Sequence, residues 1–563
     1  MKEHSTFAYS ITSAYVRDNK AMLEPYMETL TGWIRSRNLK GLASCTSILP
    51  KALSSGETYK CLMQIEAFFK KNKIYSTASC EDAAFASFKR GELICKITNK
   101  RLDHYMLNRD RLDPDVDLWV ARMERWISST LGNYKTFLTA LPKEVRVTAG
   151  ATSTRSRRQA KPHTKVGARQ TCTPSAFKYL SALASFWGCE APVLKRTIWN
   201  RVELVPKNWK THRTIACEPE GNIPLQLAFD SYVKRRLRIR GIDLRDQSRN
   251  QQLAFESSIS GRNATIDLSM ASDTVSYNVV AALFPSEWFY YLCDVRSPCY
   301  RDGSGKIVKY EKFSSMGNGS TFCVETLIFA AACYAVGSKT YSVYGDDIII
   351  EAELVENLLR LMRFLGFMIN QDKSHVTGPF RESCGVNAYL GKDVTPFYLR
   401  DINKLKANWC HIVNGLASIA LPGGELEDLL IDIVNEKRLP LVPFNECTMT
   451  GVHVDVGTAY SKGLLKAGGS PSRRRDPQSI YYKCFVAQVK QERNHRSRTH
   501  FLWHLMAYGR TDAVDVSRGR EPLESSWVPM SSHKYVRKWV YWFPPVVGTP
   551  LHLYRWSDRL LAR

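Results

Sequence analysis

Tyr341-Ser342-Val343-Tyr344-Gly345-Asp346-Asp347-Ile348-Ile349-Ile350 is the stretch from which the fold is best read. Two short runs of β-branched and aromatic residues flank a Gly-Asp step, a dipeptide that closes a two-residue β-hairpin at low steric cost. The reading is a hairpin turning at Gly345 and Asp346, with the carboxylates of Asp346 and Asp347 at or beside the turn. Adjacent anions repel, and a divalent cation relieves that repulsion; Mg²⁺ commonly takes one or two protein carboxylates and completes its shell with water and phosphate oxygens. An ordinary polar turn is the alternative, since Gly and Asp are frequent turn residues.

The chain around this stretch has 563 residues, more than one hydrophobic core usually supports, so several subdomains are expected. Lysine and arginine number 79 against 54 acids, a formal charge of +25, which points to a polyanionic partner, nucleic acid or an anionic membrane. No apolar leader follows Met1, and the run Leu327 to Val336 is too short to span a bilayer, so a soluble, cytoplasmic protein without membrane contact is expected. Fifteen cysteines show neither Cys-x-x-Cys pairs nor zinc-finger spacing and read as reduced thiols filling the core.

Upstream, Ala21 to Ser36 and Val116 to Leu131 carry helical spacing, an α-rich region without a chemical motif. From Thr148 to Gln170 the chain turns small, polar and basic, with Arg155, Arg157, Arg158, Lys161, Lys165 and Arg169, either a solvated loop or one that tracks a phosphate backbone. In Val202 to Glu218, Lys207, Lys210 and Arg213 recur every three residues after Pro206, a spacing that presents several cations to one polyphosphate. A helix from Leu225 should end in Lys234, Arg235, Arg236, Arg238 and Arg240 before Gly241; those cations either complement the helix dipole or contact RNA. Ala264 to Asp273 reads as a strand ending on Asp267, then a polar turn with a second carboxylate, Asp273. Ser314 to Thr321 is a glycine-containing loop (Ser315, Gly317, Asn318) opening an apolar helix to about Val336, a place where a backbone can approach a ligand closely. After the hairpin, Leu354 to Leu365 has leucines at helical spacing and reads as core.

The order of these parts resembles motifs F, A, B and C of viral RNA-dependent RNA polymerases, and more closely the replicase β subunit of levivirus-type positive-strand RNA bacteriophages. The strings that carry it are Val-Pro-Lys-Asn at 205 to 208, Gly-Ile-Asp-Leu at 241 to 244, Ala-Thr-Ile-Asp-Leu-Ser at 264 to 269, Ser-Met-Gly-Asn-Gly at 315 to 319, Tyr-Gly-Asp-Asp-Ile-Ile at 344 to 349, Phe-Arg-Glu-Ser-Cys-Gly at 380 to 385 and Val-Thr-Pro-Phe-Tyr at 394 to 398. The resemblance is dense from about 200 to 400.

It implies an α+β right-hand polymerase of fingers, palm and thumb, with an antiparallel palm sheet backed by helices. Residues 1–145 would join fingers and thumb, 146–255 form fingers, 256–399 the palm and 400–563 the thumb and C-terminal region. Asp267, Asp346 and Asp347 would hold two Mg²⁺ ions, for which Mn²⁺ is a possible substitute, that stabilise both ends of an in-line displacement. Lys207, Lys210 and Arg213 would grip the triphosphate, His212 standing where relatives carry Asp. Lys373 would protonate the departing pyrophosphate, and Phe380 to Gly385 would form the hairpin under the primer end. Asp273 would read the ribose 2′-hydroxyl beside Ser315, Gly317 and Asn318, with Glu325 where the wider class has Asn. Arg155, Arg157, Arg158, Arg235 and Arg236 would contact RNA; the region after 400 would add an exit surface for RNA, where Trp539, Tyr541, Trp542 and Phe543, in a region that also holds Arg473 to Arg475, either stack bases or form buried or partner-facing surface. The implied activity is primer-independent RNA-templated RNA synthesis, with template and product RNA, nucleoside triphosphates, host elongation factors Tu and Ts and a ribosomal protein as partners. A reverse transcriptase and a catalytically silent RNA-binding scaffold are the competing readings.

Overall fold

A computed structural model describes residues 2–48, 56–75, 78–108, 113–157, 159–160, 165, 170–186, 194–400, 402, 405–444, 446–455, 457, 466–467, 480–493, 527–542 and 551–562. The sequence positions Arg158, Lys161, Arg169, Arg473 to Arg475 and Phe543 lie outside them.

The chain mixes helix and sheet. Its centre is a three-stranded antiparallel sheet in which Asp347–Glu351 lies between Asn263–Ile266 and Ser342–Tyr344. Tyr344 pairs with Asp347, so the turn is Gly345-Asp346, as the dipeptide implied. Ile348 to Ile350 are buried and pair with Ile266 to Ala264, which explains the unbroken isoleucine run: this strand is covered on both faces. One cover is the helix Thr321–Ala335, buried on nearly all sides and packed against Pro114–Leu131. The leucine stripe behaves as expected, Val355, Leu358, Leu361 and Met362 of Val355–Phe364 being buried.

A second antiparallel pair, Trp199–Pro206 with His212–Cys217, continues through Cys299–Arg301 to Ile307–Lys309 in a four-stranded sheet. The helix Asn222–Ile239 ends before Gly241, which takes φ +81°. Phe380–Ser383 and Val386–Tyr389 form the expected hairpin, turning through Cys384 and Gly385 at positive φ. Every cysteine among the described residues is free, and most are buried. No helix among them is long and apolar enough to cross a membrane.

Two cores organise this. One runs from Leu102 to Phe367 and encloses the central sheet. The other joins residues 8–69 to residues 399–560. At its edge Asp18 caps the helix Glu425–Lys437, its carboxylate accepting from the amides of Glu425 at 2.7 Å and Leu426 at 3.0 Å, while Arg17 pairs with Glu425 at 2.6 Å. A 30-residue helix, Ala78–Leu107, packs against the strand His212–Cys217 and the helix Tyr277–Leu283.

Candidate active site

The central sheet carries the three carboxylates. Ile266 pairs with Ile348, so continuing the register by one residue sets Asp267 opposite Asp347 at the sheet end. Gly345 at φ +63° makes the sharp turn; a Cβ there would lie 2.3 Å from the Phe322 ring, and its amide donates to Thr326 Oγ1 at 3.2 Å. The Asp347 carboxyl is pushed up to about 7, first by burial and then by Asp346 and Asp267, with the Cys384 amide opposing. Asp267 is raised as well, by burial, with Asp346 and Glu382 adding to it and Lys373 and Asn370 opposing. Elevation of half-buried carboxylates by their carboxylate neighbours marks a site that a hard cation would relieve, and the donors are all oxygen, which fits Mg²⁺ in kind. Among the described residues no three His, Cys, Asp or Glu side chains already close a metal-holding cluster, so the carboxylates converge without forming a finished ligand set.

The segment after the leucine helix is stitched alongside. Met368–Ile369 pairs with Leu268–Ser269, and Asn370 donates to Asp267 Oδ2 at 2.8 Å. Lys373 Nζ lies 3.7 Å from the same oxygen on a half-exposed side chain. Arg381, fully buried, donates to the carbonyls of Asn263, Gly378, Phe380 and Val376, tying the Phe380–Ser383 hairpin to the strand that leads to Asp267. Inspection of the sequence missed this role because an arginine in a polar string reads as surface.

Of the three cations after Pro206, Lys207 lies near the carboxylates and Arg213 stands beside it. Lys207 is exposed along its side chain, yet its ammonium is held below the usual lysine range, chiefly by the protein mass around it and then by Arg213 and Lys373, with Asp267 and Asp346 acting the other way. Arg213, exposed on its strand, is therefore its neighbour at the site. Lys210 sits in the turn with its ammonium 5.3 Å from the Trp209 ring, and no described interaction ties it to the carboxylates. His212, next to Arg213, is buried by strand alternation, so it does not add a cation to the face that Arg213 presents.

Of the five arginines expected on RNA, Arg155, Arg235 and Arg236 have partners within the chain. Arg155 lies 3.8 Å from Glu220, and Lys165, buried, donates to the Thr148 carbonyl at 2.6 Å with its ammonium lowered to about 8 by burial. Arg235 pairs with Glu144, and Arg236 donates to the Thr130 carbonyl at 2.7 Å, both fastening the Asn222–Ile239 helix to its neighbours. Arg157 is exposed, and Arg158 lies outside the described residues.

The glycine loop is held by the chain itself. Gly317, φ +103°, lies where a Cβ would meet the Ala216 carbonyl at 2.4 Å, and the Ala216 amide donates to the Met316 carbonyl. Its lack of a side chain thus serves contact with the cation-bearing strand. Asn318 is buried and accepts from the Ser320 amide and hydroxyl; the Ser315 carbonyl accepts from Thr321. Asp273 lies nearby, Oδ1 2.7 Å from Lys312 Nζ and Oδ2 3.4 Å from the Thr214 hydroxyl. Glu325 is buried, and burial, then Asp346 and Asp273, raise its carboxyl well above the usual range. It therefore lies within reach of both Asp346 and Asp273. Lys312 was not singled out from sequence; the only local signal is a charge lodged between aromatics in Tyr310-Glu311-Lys312-Phe313.

Paired aspartates on a hairpin thus face an aspartate on the adjoining strand, with the Lys207 ammonium close enough to feel two of the three. Residues 57–508 match the family model described as RNA replicase, beta-chain, and the chain belongs to that family. It is 37% identical over 363 residues to the RNA-directed RNA polymerase subunit beta of Qbeta virus (strain MX1), covering 63% of this chain and 62% of the relative. It is also 38% identical over 377 residues to that of Enterobacteria phage SP, with 65% and 64% covered, and 33% identical over 379 residues to the RNA-directed RNA polymerase beta chain of Escherichia phage MS2, with 63% and 68% covered. The match thus spans somewhat under two thirds of the first of these relatives. Among solved structures, an RNA-dependent RNA polymerase of BmCPV at elongation state is similar at TM-score 0.37 and 8% identity over 65% of this chain and 36% of that one, a likeness too distant to carry weight.

Proposed function

We propose that this chain synthesises RNA on an RNA template, replicating a positive-strand RNA phage genome without a primer by nucleotidyl transfer with release of pyrophosphate. The observation that carries the reading is the placement of Asp346 and Asp347 on a hairpin with Asp267 set opposite Asp347 at one end of the central sheet, a crowding of carboxylates that also pushes Asp347 up to about 7. Family membership supplies the template and substrate class. In a right-hand arrangement the central sheet is the palm, 146–255 the fingers, 400–563 the thumb, and 1–145 the connection between the last two.

Asp267, Asp346 and Asp347 would hold Mg²⁺, which when bound supplies Lewis-acid stabilisation to the attacking and leaving oxygens. Lys207 and Arg213 bind the triphosphate from the opposite strand pair, with Lys210 at the rim. Lys373 stands beside Asp267 and hands a proton to the departing pyrophosphate. Asn370 and the Ser374 hydroxyl, which accepts the Asp267 amide at 3.1 Å, hold Asp267 in register while charge changes around it. Asp273 accepts from the ribose 2′-hydroxyl, with the glycine loop as its wall. Template and product RNA, nucleoside triphosphates and, from the family, host elongation factors Tu and Ts with a ribosomal protein are the partners, in the bacterial cytoplasm.

The test is incorporation of labelled nucleotide by purified chain on an unprimed RNA template, with and without those host factors. Asp346→Asn should lower incorporation at least about 100-fold while RNA affinity, dominated by phosphate contacts, stays near wild type. Wild-type incorporation in this variant removes Asp346 from the site.

A further inference from the structure

We propose that Lys312 is a positioning residue for sugar selection: its buried ammonium holds one oxygen of Asp273 so that the other faces the incoming ribose. The inference rests on the reading of Asp273 as the sugar-sensing carboxylate.

Lysine is almost never fully buried unless paired, because its ammonium loses hydration that only an anion replaces. Lys312 is 0% exposed, and its Nζ has two anions at unequal range, Asp273 Oδ1 at 2.7 Å and Glu92 Oε1 at 3.8 Å. The rings of Phe88 and Tyr310 stand 3.9 and 5.4 Å from the ammonium. This sleeve gives the lysine no route to solvent, whereas the Asp273 side chain is 18% exposed. Rotation of Asp273 away would leave a dry ammonium with only the more distant Glu92, so the carboxylate is held in one orientation. Among the described residues its Oδ2 has only the long 3.4 Å contact from Thr214 and keeps acceptor capacity.

The backbone beneath is fixed in step. The Asp273 amide donates to the Met270 carbonyl at 2.9 Å, and its own carbonyl accepts from the Cys95 thiol at 3.5 Å. Gly91 leaves room for that carbonyl, since a Cβ there would lie 2.9 Å away. Lys312 is bridged to Ser276, and the Phe313 amide donates to the Val275 carbonyl at 2.7 Å. The turn of Asp273 is thus gripped between the Ala78–Leu107 helix and the segment that enters the glycine loop. A deoxyribose offers no proton to Oδ2, and a fixed acceptor converts that lack into discrimination.

The experiment compares kcat/KM for ribo- and deoxynucleotides on an RNA template, with thermal melting to establish folding. Lys312→Met alone strands two carboxylates, so it is combined with Glu92→Gln, which removes one charge of each sign. In this double variant the ribo-to-deoxy ratio should fall about 5-fold or more, through a higher KM for ribonucleotides, with deoxynucleotide kcat/KM within about 2-fold of wild type. Glu92→Gln alone leaves Lys312 to Asp273 and should keep the ratio within about 2-fold. A folded double variant with the wild-type ratio overturns the proposal, as does a 5-fold fall in Glu92→Gln alone. Asp273→Ala separates the two levels: if it keeps the wild-type ratio, the sugar-sensing reading itself fails, and if it loses the ratio while the double variant keeps it, only the role of Lys312 fails.

Discussion

The two carboxylate corners of the site are built in opposite ways. Asp346 and Asp347 stand on a hairpin whose strands, turn and glycine all lie within ten consecutive residues, 341 to 350. Asp273 is held by Lys312, by Thr214 and, at its backbone carbonyl, by Cys95, which come from three other segments, one of them the helix Ala78–Leu107. The first corner places charge against charge; the second places charge against a buried counter-charge. On the proposed reading, the difference teaches that groups that would take an external cation are left in repulsion, while the group that would accept one hydrogen bond is neutralised from behind.

Gly345→Ala should break the first corner most severely. It forces a side chain into left-handed backbone and onto the Phe322 ring, at a cost of about 2–4 kcal/mol, with loss of incorporation. Denaturant melts and an incorporation assay check this, and an unchanged midpoint would mean that the turn relaxes. Arg213→Ala leaves both corners standing and removes a cation between them. The expected result is a raised nucleotide KM worth about 1.5–3 kcal/mol with template affinity kept. Collapse of template binding at constant nucleotide KM assigns that strand to the RNA channel instead.

Asp347→Asn reads the repulsion directly. The native carboxyl titrates near 7, above its unfolded value, so its contribution to stability is full below about 4 and is lost as pH rises through 7. Asn has no such loss. Without divalent ions the variant should therefore be more stable than wild type by about 1–2 kcal/mol at pH 8, after allowing for solvent screening, with the gap closing toward pH 4. Mg²⁺ should narrow it at pH 8 by binding the wild-type native state. A constant gap across pH would show that Asp347 is not under electrostatic strain.

What was legible in the sequence follows the same division. Periodicity and turn chemistry are local, so the Gly345-Asp346 turn, the strand ending at Asp267, the leucine helix and the Phe380 hairpin were readable from residue order. Lys207 and Arg213 were readable as cations, but the strand pair that aims them, and leaves Lys210 beside Trp209, is a matter of register. Arg235 and Arg236 looked like a basic helix end because Glu144 and the Thr130 carbonyl, their partners, lie about a hundred residues away. Lys312 and Arg381 were illegible for the same reason: burial of a charged side chain depends on what folds over it.

The cap that Asp18 places on the Glu425–Lys437 helix has a consequence for the order of assembly on the ribosome. The bond spans 407 residues, so at roughly 5–20 residues per second the nascent N-terminus waits on the order of 20–80 s for its partner to be translated. The core enclosing the central sheet runs only to Phe367 and can close during that wait. The central sheet is thus enclosed while the apolar face of the helix Lys2–Asp18 still lacks the Glu425–Lys437 helix it packs against, and that face is a part of the nascent chain open to misassociation.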